Sequence, residues 1–192
     1  MNEPNLRQRI IDVATELFAE QGYSATSMRQ VVEACSCSKP SLYYYFANKE
    51  SLFSEVVGIH IRATDGMIEE MANKSGPARD CIHETLAEFA DWAANNPAAM
   101  RLLQRVETQH EEGAPSVNIA RAREMHIRVM QDQLERGKAR GEIRADIDAF
   151  EGALVIAGIL SFQFEMCLAN ESWDRERLHR TIDMIFNGIA SV

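Results

Sequence analysis

Three helix-start signals follow one another between residues 26 and 50, leaving room only for short helices between them. Thr26-Ser27-Met28-Arg29-Gln30 has the form of a capping box, with Ser27 as N-cap and Gln30 three residues on. Pro40 stands where a first helical turn tolerates proline, because an N–H there has no intrahelical partner. Asn48-Lys49-Glu50 opens a longer helix. The apolar residues keep the same phase. Met28, Val31, Val32 and Cys35 make one stripe, and Leu42, Tyr45 and Phe46 make the next at i, i+3, i+4. By that spacing Tyr45 is the tyrosine nearest the inner face. Residues 36–38 form the tight turn between the two helices.

Upstream, Leu6, Ile10, Val13, Ala14, Leu17 and Phe18 make one face of an amphipathic helix that Gly22 stops. A short helix, a three-to-four-residue turn and a second short helix make a helix-turn-helix arrangement. The head ends near residue 47. Downstream the pattern is helical throughout. Leu52, Phe53, Val56 and Val57 lie on the long fourth helix, and Ser75-Gly76-Pro77 breaks it. Phe89 and Trp92 lie on a helix ended by Asn95-Asn96-Pro97. Met100, Leu103 and Val106 lie on the next. Gly113 to Pro115 is a loop. Ile119, Ala122, His126, Val129 and Met130 stripe a helix ending near Gly137. Asp146 opens an apolar helix to about Ala169, and Trp173 to Ile189 closes the chain. No stretch shows convincing strand alternation. The fold class is all-α: a three-helix head over residues 1–47 and a helical-bundle body over residues 48–192, about nine helices in all.

The tyrosine triplet Tyr43-Tyr44-Tyr45 is poor core material, since each buried hydroxyl needs a partner. It suits a surface that meets something polar. A helix fits the major groove of DNA, and Ser38 and Ser41 are small enough to let its N-terminus approach bases. Arg29 and Lys39 can donate to guanine or phosphate. The tyrosines offer hydroxyls to phosphate and ring faces to thymine methyls. Lys49 and the free N–H groups of the fourth helix can hold a phosphate. The net charge of −9 excludes a protein that coats nucleic acid by bulk charge. The head carries five basic residues through residue 60 (Arg7, Arg9, Arg29, Lys39, Lys49) against seven acids, so any DNA contact is local.

Residues 6–57 resemble the DNA-binding head of the TetR family of bacterial transcription regulators. The resemblance rests on Arg9-Ile10-Ile11, Leu17-Phe18, Gly22-Tyr23, Thr26-Ser27 with Arg29, Ser38-Lys39-Pro40-Ser41-Leu42-Tyr43-Tyr44-Tyr45-Phe46 and Asn48-Lys49-Glu50, in order and at family spacing. It implies a DNA-facing set of Ser27, Arg29, Ser38, Lys39, Ser41, Tyr43, Tyr44, Tyr45 and Lys49. Within it Tyr43 and Lys49 match phosphate-binding positions, and Arg29, Lys39 and Tyr45 match positions near bases. The chain departs from the family pattern at Tyr45, where histidine is frequent, at Ser36, where glycine is usual, and at Cys37, where valine is usual. Serine with positive φ costs about 1–2 kcal/mol. Cys37 fills the valine site as a small hydrophobe; the alternative is a redox or metal switch shared with Cys35.

The resemblance also implies a body that dimerises and binds a small-molecule effector. Ala153, Ala157, Gly158 and Ser161 would let helices approach closely, and the stripe Leu178, Ile182, Ile185, Phe186 needs a partner surface, either in a four-helix interface with a second copy or by burial within one chain, with room for both on different faces. Phe89, Trp92, Met100, Gln104, His126, Phe162 and Met166 are the candidate lining of an apolar pocket. The expected partners are palindromic double-stranded operator DNA, a second copy of the chain and an effector, with no membrane. Ligand in the body would alter the separation of the two heads through the fourth helix. The alternative is a helix-turn-helix factor without inducer that uses its body for protein partners. Neither a phosphate loop, an HExxH nor a G-x-S-x-G occurs, so an enzyme is not expected. The four cysteines fit no zinc or disulfide pattern, and nothing asks for a metal or cofactor. MNEPNLRQRI lacks the apolar core of a signal peptide, so a cytoplasmic protein is expected.

Overall fold

The computed structural model describes residues 5–109, 111–170 and 175–189. Among them the chain forms α1 (Leu6–Ala25), α2 (Met28–Ala34), α3 (Lys39–Tyr45), α4 (Lys49–Asn73), α5 (Ala78–Asn95), α6 (Pro97–Thr108), α7 (Ile119–Ala139), α8 (Ala149–Asn170) and α9 (Arg175–Ile189), with no strand among the described residues. The all-α expectation holds. Trp173, the expected start of the last helix, lies outside the described residues.

The helices gather into two compact units. The first combines Met1–Arg62 with Asn96–Ile119, and the second combines Ala63–Asn95 with Ala120–Val192. By chain position α4 contributes to both.

In the first unit Ile10, Ile11, Ala14 and Phe18 of α1 meet Val31 of α2, Leu42 and Phe46 of the α3 region, and Leu52, Phe53, Val56 and Val57 of α4. Ala98 and Leu102 of α6 join the same core. Gly22 breaks the helical path of α1 with φ of +82°. Its missing Cβ is needed twice over: a Cβ there would strain the backbone, and it would stand 2.5 Å from both Arg105 Nη2 and Glu111 Oε1.

In the second unit Ile82, Leu86 and Ala90 of α5, Met130 and Leu134 of α7, Ala153, Ile156 and Leu160 of α8, and Leu178, Ile182 and Phe186 of α9 share one core. Gln133 is buried among them and donates to the Met71 carbonyl at 2.6 Å, so its amide nitrogen is satisfied. The Glu142 carboxylate receives the first N–H of α5, that of Ala78, at 2.8 Å.

One expectation needs correction here. Asp148, not Asp146, caps α8: its Oδ1 receives the N–H groups of Phe150 and Glu151 at 2.9 and 3.0 Å, while Asp146 pairs with Arg144. For the α9 stripe the structure shows the alternative of burial within one chain. Leu178, Ile182 and Phe186 are buried in the chain's own core and Ile185 packs against it. The apolar residues left in solvent lie mostly on α8: Phe150, Leu154, Val155 and Phe162, with Met184 on α9. Among the described residues no helix is long and apolar enough to cross a membrane.

Candidate nucleic-acid interface

Local capping builds the surface. The Ser27 hydroxyl receives the Gln30 N–H at 3.2 Å and the Gln30 side chain receives the Ser27 N–H at 2.8 Å, so the capping box is complete. At the other end of α2 the N–H of Ser36 reaches the Glu33 carbonyl and that of Cys37 reaches the Val32 carbonyl. This is a Schellman turn with Ser36 at the left-handed position, at φ of +51°. The conformation that usually takes glycine is kept, and serine occupies it. Ser38 then caps α3: its Oγ receives the Ser41 N–H at 3.2 Å and lies 2.7 Å from the Ser41 hydroxyl. Asn48 caps α4 by receiving the Ser51 N–H at 2.7 Å.

Leu42 is fully buried and Phe46 nearly so, and these two anchor α3 while its tyrosines face out. Tyr44 is 83% exposed, Tyr43 41% and Tyr45 40%. Tyr45 is therefore no more an inner residue than Tyr43. A helix of two turns anchored by Leu42 and Phe46 leaves both neighbouring positions at the rim. Tyr44 and Tyr45 meet edge to face at 5.0 Å, and with Leu6, Pro40 and Ser41 they line a shallow cleft of about 320 Å³. Lys39 is exposed, its ammonium 5.8 Å from the Tyr43 ring. Arg29 is exposed and its Nε pairs with Glu33 at 2.7 Å. Such a solvated pair is weak enough to be exchanged for a phosphate.

Lys49 is engaged in a way the sequence did not announce. Its ammonium donates to the Tyr23 carbonyl at 2.8 Å and sits 4.1 Å from the Tyr23 ring centroid. It ties the start of α4 to the end of α1. Arg9 makes a second unforeseen tie, donating to the Cys35 carbonyl at 2.5 Å while the Cys35 thiol donates back to the Arg9 carbonyl at 3.5 Å. Burial, reinforced by Cys37, pushes the Cys35 thiol up to about 11, so at neutral pH it is a protonated structural thiol. Among the described residues no three His, Cys, Asp or Glu side chains gather as a metal site.

The candidate effector residues are distributed over α5, α6, α7 and α8. Phe89 and Trp92 are neighbours on α5, with ring centroids 6.0 Å apart. His126 lies 3.1 Å from Asp65, and burial holds its pKa low against the pull of that carboxylate. Phe162 is 60% exposed on the outer face of α8. The Met166 sulfur receives an Arg177 N–H at 3.5 Å. Met100 and Gln104 are on α6 and belong to the first unit.

The profile described as "Bacterial regulatory proteins, tetR family" matches residues 10–56, and "Tetracyclin repressor-like, C-terminal domain" matches residues 79–185. The chain belongs to the TetR family. It is a member of a family of transcription regulators, not of enzymes. It is 31% identical over 153 residues to the HTH-type transcriptional repressor ComR of Escherichia coli (strain K12), covering 74% of this chain and 70% of that protein. Two solved TetR-like folds superpose along most of its length. One is a gamma-butyrolactone receptor (ArpA like protein), with a TM-score of 0.78 at 19% identity over 97% of this chain and 89% of that one. The other is the TetR family regulator PfmR from Thermus thermophilus, with a TM-score of 0.76 at 20% identity over 93% of this chain and 97% of that one.

Proposed function

We propose that this TetR-family regulator is a cytoplasmic homodimeric repressor. Residues 1–47 bind a palindromic operator, and a small hydrophobic effector bound by residues 48–192 releases it. The observation that carries the DNA reading is the outward face of α3. Ser38, Lys39, Ser41, Tyr43, Tyr44 and Tyr45 are presented on a helix whose Leu42 and Phe46 hold it to the head core. Ser27 and Arg29 extend that face from α2, and Lys49 adds a cation at the start of α4. In the groove, α3 reads base edges while the tyrosine hydroxyls and basic side chains fix register on phosphate. Dimerisation is supported by the exposed apolar face of α8, where Phe150, Leu154, Val155 and Phe162 lie beside exposed Gly158 and Ser161. Repression follows the named activity of ComR.

A second reading is a helix-turn-helix factor without inducer. It is favoured by the outward placement of Phe162, a candidate effector residue that is 60% exposed.

The test is selection of duplexes from a random pool by the purified protein at two salt concentrations. Enrichment of a palindrome with half-sites about one or more helical turns apart is expected. A single non-palindromic site removes the dimeric model, and no enrichment at low salt removes the DNA reading.

A further inference from the structure

Residues 22–24 are a corner on which three elements of the head are seated, and a carboxylate from a distant part of the chain holds it. Glu111 Oε2 receives the Ser24 N–H at 3.1 Å, and Glu111 Oε1 receives the Arg105 Nε–H at 2.6 Å. The Ser24 hydroxyl donates to the Glu112 carbonyl at 3.1 Å. From the opposite side Lys49 donates to the Tyr23 carbonyl. The Thr26 hydroxyl donates to the Gly22 carbonyl at 2.7 Å, and the Thr26 N–H reaches the Tyr23 carbonyl. One residue later Ser27 caps α2, and Gln30 of that cap donates to Gln21 at 3.3 Å. The end of α1, the start of α2 and the start of α4 thus all refer to one turn of backbone.

We infer that Glu111, oriented by Arg105, is a positioning residue for DNA recognition. It fixes the corner from which Ser27 and Arg29 are aimed and on which Lys49 seats the start of α4. This rests on the reading of α2 and α3 as the DNA-binding face. A carboxylate suits the task. It accepts from a backbone N–H and a guanidinium at once, and Arg105 neutralises a negative charge that would otherwise repel phosphate beside the head. The site is specific to its shape: Gly22 leaves the space that both side chains fill. Burial by itself would raise the Glu111 pKa, but the Arg105 and Ser24 hydrogen bonds outweigh it and hold the carboxyl below its ordinary value. The clamp is therefore charged at all physiological pH values.

The experiment compares wild type, Glu111→Gln and Glu111→Asp for binding to the selected operator and to a scrambled duplex of the same length. It is run well below each protein's melting temperature. Taking the ratio of the two affinities cancels the general gain from removing an acidic charge. The expected result is a specificity ratio about tenfold lower in Glu111→Gln, the order of one mismatched base pair. Partial recovery is expected in Glu111→Asp, which keeps the charge with a shorter reach. If Glu111→Gln does not fold, Arg105→Gln, which loosens the carboxylate without removing it, is expected to lower the ratio in the same direction. Unchanged ratios in folded variants overturn the inference. Failure of the wild type to select any duplex overturns the DNA reading beneath it, a separate and distinguishable outcome.

Discussion

Mild acid is expected to weaken the second unit at one identifiable contact. His83 of α5 and His179 of α9 stand with Nε2 and Nδ1 2.5 Å apart and their ring centroids 4.1 Å apart. One N–H bridges two imidazoles at that distance, and a further proton would set two donors head to head. Burial holds His83 below its ordinary pKa. His179 and Arg79 push the same way, while Asp183 and Asp80 oppose them. Asp183 is itself bound by Arg79 at 2.6 Å, which blunts its pull. The unfolded chain therefore takes up this proton more readily than the folded one. The associated stability is complete above the ordinary histidine value near pH 6.5 and is lost as the pH falls from there through the lower value of the folded chain. One fully excluded proton is worth about 1.4 kcal/mol at one unit below that value. The contact is half-buried, and solvent screening reduces this to roughly 0.5–1 kcal/mol. For a chain of this size the loss corresponds to about 1–4 °C in Tm. The assay is thermal unfolding at about pH 7.5 and about pH 5.5 for wild type and His83→Gln. His60 and His126, also held low by burial, contribute equally to both proteins. Wild type is expected to lose about 1–4 °C more than His83→Gln on acidification. Equal losses refute the reasoning.

Other perturbations separate structure from recognition. Ser36→Gly is expected to stabilise the protein by roughly 1 kcal/mol, because glycine takes the left-handed position without the Cβ penalty; denaturant unfolding measures it. Tyr44→Ala should leave Tm unchanged, since the side chain is 83% exposed, and weaken operator binding about tenfold in an anisotropy titration. Phe162→Glu on the exposed face of α8 is expected to shift the protein towards monomer by light scattering while each chain keeps its helical content.

The head was largely legible in the sequence, because short-range chemistry determines most of it. A capping box spans four residues, and Leu42 and Phe46 fall one turn apart, so Ser27, Gln30 and the anchors of α3 could be placed from spacing alone. The positive φ at Ser36 was implied by the resemblance, since the family usually has glycine there, and not by spacing. What spacing could not supply was the destination of long side chains. Lys49 matches a phosphate position by resemblance, but its tie to the Tyr23 carbonyl had no signal in the spacing. Periodicity likewise names a face without naming its neighbour. The α9 stripe is covered by the chain itself, whereas the nearly uniform apolarity of α8 hid which of its residues face solvent. Glu111 and the His83–His179 pair join residues far apart in sequence, and neither carries a local signature.

The membership of residues 96–119 in the first unit bears on how such proteins can be recombined. A chimera made by one crossover after residue 62 would carry a foreign α6 and a foreign Glu111 against a native corner at Gly22. The natural exchangeable part is two segments rather than one, and a graft of DNA specificity from a relative should move both together.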